Sequence, residues 1–410
     1  MTGLHFIIGG ISIFIAGEIL LHGLVRWLRS TCPWLITQAD EHPKLDADGL
    51  RSFIRHGWDP ELGWVRKPDT SGEDVGRDGA AAVYRIDATG ARHNPGFSER
   101  DPEILVYGDS YAFSRQVGDA EAWPHLLSRQ LERHVANYGV GNYGLDQALL
   151  RLEREFADHP ANLVIMAVVP ETMSRIHAYW KHYSEYGNTF AFKPRFVLEQ
   201  GALRLLPNMV DTPEAFDRLR QFLPQLRKHD GFYATKFRRD LLTFPYLASA
   251  FKNPARTFGL IARALSDRLG LTEDAAFMQV MRRNMTLNRQ LYADQKATDL
   301  FAAIAERFAT FCRSNGAQPV FVFLPQRIDL EFMRDGSHYY APMVKRLSRS
   351  MIVVDAGPAL LKNDPDTSLF INDRFGGHYS PVGNRIVADL VRSMCKDILV
   401  DDSTTSDVDK

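Results

Sequence analysis

Cysteine is scarce in this chain. Its three residues, Cys32, Cys312 and Cys395, are odd in number and far apart. Such spacing builds neither a disulfide framework nor a cysteine zinc site and reads as buried thiols. Net charge is scarce as well: 49 Lys and Arg stand against 50 Asp and Glu, leaving a formal charge of −1. A chain so balanced carries no global electrostatic footprint for nucleic acid, and no nucleic-acid partner is expected. No internal repeat is evident, which sets solenoids and propellers aside. Hydrophobic residues at 45% and charged residues at 24% lie near the globular average, excluding global disorder, a collagen-like repeat and a polytopic membrane protein. The length of 410 residues fits one sizeable domain with insertions, or two domains.

One long apolar run is present. Residues 6–28, FIIGGISIFIAGEILLHGLVRWL, are long enough at about 1.5 Å per residue to cross a hydrocarbon core of about 30 Å. No small-residue cleavage site follows; Arg26, Arg29, Cys32 and Pro33 come instead. The run therefore reads as an uncleaved single-pass anchor in a membrane rather than a signal peptide. The alternative is a helix packed on the globular domain. Glu18 and His22 lie four apart, on one helical face. No Lys or Arg precedes the run and two arginines follow it, a slight bias toward a cytoplasmic domain that leaves the side open.

Beyond the anchor (1–30), residues 31–100 are rich in Pro, Gly and Asp and read as an irregular lead-in. From residue 101 the pattern changes. EILVYG (103–108), VANYGV (135–140) and LVIMAVV (163–169) are short apolar runs, with helical stretches at 122–134 and 145–159 between them. Strand, helix, strand at this spacing predicts a parallel sheet. A helix at 299–316, strands PVFVFLP (319–325) and MIVVDAG (351–357), and a closing helix at 380–399 resume the pattern. The fold class expected is α/β: a three-layer αβα sandwich on a five-stranded parallel sheet, flavodoxin-like. Its halves, 101–175 and 299–399, are split by a mostly helical insertion over 176–298, and residues 400–410 read as a disordered tail.

Three clusters fall just past the carboxyl ends of strands, where such sheets place their chemistry. Gly108-Asp109-Ser110-Tyr111 would present a serine hydroxyl at a strand-to-helix turn, with backbone N–H groups ready for an oxyanion; Asp and Ser are equally at home as plain helix caps. Gly376-Gly377-His378-Tyr379-Ser380-Pro381 offers a histidine that could act as general base for that serine. Asn137-Tyr138-Gly139-Val140-Gly141-Asn142-Tyr143-Gly144 offers small residues and backbone donors, either an oxyanion hole or a tight turn.

In this order the clusters resemble the blocks of the SGNH (GDSL-like) hydrolase family. YGDSYAFSRQVGDAEAW (107–123) looks like the first block, NYGVGNYGLDQ (137–147) the second and GGHYSPVGNRIVAD (376–389) the last. The resemblance implies Ser110 as nucleophile and His378 as catalytic histidine, acting on acyl esters, often acetyl, of carbohydrates, lipids or small molecules. It also implies hydrolysis or O-acyl transfer, and among membrane-anchored relatives a link to polysaccharide O-acylation and its assembly partners; no cofactor is expected, and His177 and His182 are not at metal-ligand spacing with an acidic partner.

The sequence departs from the pattern in two places. The family's Gly-x-Asn-Asp block should follow the third strand, where Val168-Val169-Pro170-Glu171 stands; Asn142 is then the candidate replacement donor, with Asp109 and Gly141 completing the expected oxyanion and substrate-binding set. The acidic partner of the histidine, normally two or three residues upstream, is missing there, and Asp373 is the nearest carboxylate. Two other readings stay open. Gly139-x-Gly141-x-x-Gly144 is a G-x-G-x-x-G between strand and helix, with Glu171 ending the next strand, a dinucleotide-turn pattern. The altered blocks also fit a catalytically inactive carbohydrate-binding or scaffold protein. Aromatics and cations over 179–196 suit sugar stacking near the site, or simply a packed helix and loop.

Overall fold

The computed structural model describes residues 2–77, 79–363, 369–373 and 376–405. In chain order its principal elements are helix α1 (Thr2–Leu28), strand β1 (Ile104–Gly108), helix α2 (Trp123–Leu131), strand β2 (Val135–Asn137), helix α3 (Leu145–Glu155) and strand β3 (Leu163–Val168). Helices α4 (Tyr246–Ala250), α5 (Pro254–Arg268) and α6 (Gln295–Ser314), strands β4 (Gln318–Phe323) and β5 (Ile352–Asp355), and helix α7 (Pro381–Thr405) follow. The chain divides into two compact units. One gathers Met1–Ile54, His177–Lys193 and Asn208–Leu287; the other gathers Arg55–Ile176, Pro194–Pro207 and Asn288–Lys410.

The second unit is the α/β sandwich. Its five strands lie in the order β5-β4-β3-β1-β2 and every pairing is parallel. Strands β1, β2 and β3 are buried at every residue, which is why they read as unbroken apolar runs: helices cover both faces of such a sheet. The two-residue period splits these side chains between two cores. Leu105, Tyr107, Val164, Met166, Phe321 and Phe323 face the apolar stripes of α3 and α6. Ile104, Val106, Ile165, Ala167, Val320 and Val322 face Leu127 of α2 and Val387, Ala388 and Val391 of α7. From β1 the chain goes to the edge strand β2 and returns past β1 to β3, so the strand order reverses at β1/β3, the position where open α/β sheets bind ligands.

The structure adds detail to three segments of the expected layout. From Arg55 the irregular lead-in belongs to the sandwich unit, and it carries a hairpin pairing Ser71–Val75 and Ala81–Arg85. Within the mostly helical insertion, Arg195–Glu199 pairs antiparallel with Ala202–Leu206. Its two turn residues, Gln200 and Gly201, both have positive φ, the tight hairpin geometry usually announced by Asn-Gly or Asp-Gly. Helix α7 runs to Thr405, taking in residues 400–405 of the expected tail. Once nucleated, a helix gains one hydrogen bond for each residue added. Residues 406–410 lie outside the described residues.

The first unit joins the N-terminal segment to the rest of the insertion. Leu21, Val25 and Leu28 of α1 are buried with Leu242, Ala250, Leu260, Ile261 and Ala264. Their spacing of four and three places all three on one helical face. The aromatics of 179–196 are likewise buried, apart from the half-buried Phe190: Trp180 and Tyr183 are fully enclosed, with Trp180 stacked on Phe192 at 4.8 Å and Tyr183 at 4.8 Å from Phe237. Their faces are spent on packing, which removes the sugar-stacking reading.

Candidate active site

The turn that carries Ser110 depends on a close approach between strands. Gly108 ends β1 at φ 155°, and a Cβ there would lie 1.8 Å from the Ala167 carbonyl oxygen of β3. Only glycine fits. Asp109 follows, fully buried. Its Oδ1 accepts from the Tyr111 N–H at 2.9 Å, and its Oδ2 from the Val169 N–H at 2.8 Å and Arg175 Nη1 at 3.4 Å. Asp109 thus ties the end of β3 to the turn that carries Ser110. Burial pushes its carboxyl above the ordinary range against the opposing pull of Arg175.

Ser110 is not at the N-terminus of an α-helix, contrary to expectation. Residues 110–116 form successive turns, closed by Phe113 N–H to Asp109 O at 2.9 Å and Arg115 N–H to Ser110 O at 3.0 Å. Ser114 and Gln116 both adopt positive φ, a left-handed geometry that interrupts right-handed helix. A buried arginine from the lead-in holds the loop. Arg92 donates to the Phe113, Ser114 and Val117 carbonyls at 2.6–2.7 Å and pairs with Asp119 at 3.0 Å. Asp74 adds a second brace, accepting from Arg115 Nε at 2.7 Å and the Gln116 N–H at 3.4 Å.

The structure brings Ser110 and His378 together across 268 residues of chain: Ser110 Oγ lies 2.8 Å from His378 Nε2. Gly377 lets the histidine loop turn back, at φ 70°, where a Cβ would meet the Ile371 carbonyl oxygen at 1.8 Å. The ring packs 4.6 Å from Tyr111, whose hydroxyl donates to the Gly377 carbonyl at 2.9 Å.

The partner of His378 Nδ1 is a glutamine rather than a carboxylate. Gln116 Oε1 lies 3.0 Å from Nδ1 and also accepts the His378 backbone N–H at 2.8 Å. Gln116 Nε2 donates to Asp373 Oδ2 at 2.5 Å. A carboxylate only accepts, so Asp373 fixes which end of the amide faces it, and the carbonyl end is left for the histidine. The Nδ1 proton then points at Gln116, and Nε2 presents its lone pair to Ser110. Asp373 therefore reaches the histidine through Gln116 and not directly. Burial first, then the charges of Arg115 and Arg175, pull the imidazole down to about 3.

The third cluster forms the loop after β2. Val140 N–H bonds to the Gly108 carbonyl at 3.0 Å, and Trp64 Nε1 donates to the Gly141 carbonyl at 2.9 Å. Asn142 sits at φ 65° with its side chain exposed. At the start of α3, the N–H groups of Gly144, Leu145 and Gln147 are taken by side-chain oxygens of Gln147, Thr172 and Asp146. A dinucleotide pyrophosphate needs such groups open, and Glu171 is paired with Arg175 at 2.7 Å. The G-x-G-x-x-G pattern thus works here as a turn.

Sequence reasoning missed Gln116, Arg92 and Arg175. No local pattern marks them; a buried arginine in a lead-in shows only once its carbonyl partners are known. A serine hydroxyl on a neutral, tautomer-fixed imidazole at the carboxyl end of a parallel sheet has the parts of a nucleophile and its general base.

No family model matches the chain, and no curated protein matches it. Among solved structures it is similar to one titled "Structure of a putative lipolytic protein of G-D-S-L family from Desulfitobacterium hafniense DCB-2". The identity is 11% and the TM-score 0.30, over 71% of this chain and 97% of that chain.

Proposed function

We propose that this chain is a membrane-anchored serine esterase or O-acyltransferase acting on acyl esters, acetyl esters of carbohydrates foremost. The observation that carries the reading is the 2.8 Å contact between Ser110 Oγ and His378 Nε2, with the tautomer set by Gln116. Ser110 Oγ attacks the acyl carbon as His378 Nε2 takes its proton. The tetrahedral intermediate collapses, the ester C–O bond breaks, and His378 returns the proton to the leaving alcohol. Water or a second hydroxyl then resolves the acyl-serine by the same steps in reverse order. The Ser110 N–H and Asn142 are the proposed oxyanion donors, and the field of Arg115 and Arg175 that discourages imidazolium also favours a developing negative oxygen. The scaffold reading would have been favoured by a serine and histidine beyond hydrogen-bond reach, which is not what the site contains.

The anchor reading has its own support. The span His5–Leu28 is long and apolar enough to cross a membrane, and its C-terminal part is built into the core of the first unit, an odd use for a segment to be removed.

The test is intact-mass analysis after treatment with a fluorophosphonate probe. One adduct on the parent protein, absent in Ser110→Ala, is the expected result. Folded parent protein that takes up no probe would refute an activated serine.

A further inference from the structure

The apolar span His5–Leu28 of α1 is bare over only part of its length. His5–Ala16 is unburied on all sides, but from Gly17 onward one face is covered. Gly17–Leu24 lie within the same apolar span, so they enter the lipid with it and bring along whatever is packed on them.

What is packed on them is α4, with Leu260 and Ile261 of α5 in the same core as Leu21. A Cβ on Gly17 would touch Leu247 at 3.1 Å, and His22 stacks on Tyr246 at 4.9 Å. Glu18, the one charged side chain before Arg26, is buried. Its carboxylate accepts the Tyr246 N–H, and the Leu247 N–H at 2.8 Å. A carboxylate at membrane depth needs such partners.

The outward face of this collar is apolar. Phe244, Ala248, Phe251, Ala255, Phe258 and Ala262 are exposed at alternating spacings of four and three, together with Pro254. Phe244 and Phe251 are 75% and 67% exposed. Lys252 and Arg263 are the exposed charges between residues 241 and 263. A helix surface facing water carries the opposite pattern. Further along, Arg268 lies over the ring of Trp27 at 4.2 Å, a pair of types suited to the headgroup level.

We propose that the Phe244–Ala262 collar is embedded in one lipid leaflet beside α1, so that the first unit is a membrane-inserted foot and not a soluble domain on a tether. The proposal rests on reading α1 as the membrane anchor. The occupant of the exposed apolar stripe is phospholipid acyl chain, because the stripe continues the bare apolar surface of α1 alongside Gly17–Leu24.

The test places a nitroxide at Ile13→Cys, Phe251→Cys, Phe258→Cys and Gln200→Cys of the full chain, reconstituted in phosphatidylcholine–phosphatidylglycerol vesicles. The native cysteines are all buried and leave labelling to the introduced thiols. Relaxation by oxygen reports hydrocarbon, and relaxation by a soluble nickel chelate reports water. The expected result is a shift of the oxygen-to-nickel ratio at Phe251 and Phe258 from the aqueous value at Gln200 toward the value at Ile13. Lipid values at Ile13 with aqueous values at both phenylalanine sites would overturn the collar and keep the anchor. Aqueous values at Ile13 as well would overturn both.

Discussion

Replacing Gln116 by alanine should slow the chemistry at Ser110 without touching either member of the reacting pair. The side chain accepts two hydrogen bonds from His378, one from the ring and one from the backbone. At about 0.5–1.5 kcal/mol each, their loss costs about 1–3 kcal/mol, or about 5- to 150-fold in rate. The loss falls on the orientation and tautomer of the base, so it belongs to the rate of serine attack. The assay is the second-order rate of fluorophosphonate labelling, followed by intact mass, which needs no knowledge of the natural ester. Asp373→Asn gives the companion measurement. Since Asp373 acts through Gln116, its loss should be smaller, and adding it to Gln116→Ala should cost little more. A Gln116→Ala protein that labels within twofold of the parent, while Ser110→Ala stays unlabelled, would refute the positioning role.

Two further outcomes follow from the same loop. The folded imidazole titrates well below its ordinary 6.5 because burial and two arginines oppose its charge. Falling pH therefore leaves His378 neutral, and parent labelling should stay level from about pH 8 to about pH 5, where an unperturbed imidazole would already have lost most of its base form; a rate halved near 6.5 would contradict this. Arg92→Met leaves three loop carbonyls without their donor in a buried setting and Asp119 with Arg85 alone as its cation. It should lower stability by about 3–5 kcal/mol in urea denaturation and slow labelling as well, and an unchanged midpoint would contradict that.

The parts of this molecule legible in the sequence are those whose physical cause is local. Five apolar runs announced five strands because a sheet covered on both faces needs unbroken hydrophobic residues. Ser110 and His378 stood out because turns at strand ends follow from Gly, Asp and Ser within a few residues. Gln116 gave no such signal. Its role comes from a loop path set by Arg92 and Asp74 and from a histidine loop 262 residues away, and in the sequence it is one polar residue among others. The absent helix after Ser110 has a similar origin: carbonyls that would have propagated a helix are captured by Arg92. The membership of α1 and the insertion in one unit was also out of reach, since the burial of Leu21, Val25 and Leu28 depends on partners more than two hundred residues on.

The long separation of the reacting pair has a consequence for the newborn chain. Ser110 is synthesised 268 residues before His378, and at about 5–20 residues per second the ribosome takes about 13–54 s to bridge that distance. Throughout that interval the serine has no base, and with Asp373 also still to come, Gln116 has nothing to orient. A chain arrested or cleaved before His378 carries at Ser110 a hydroxyl without the proposed base. On the proposed reading, the reactivity of Ser110 is withheld until residue 378 has been made.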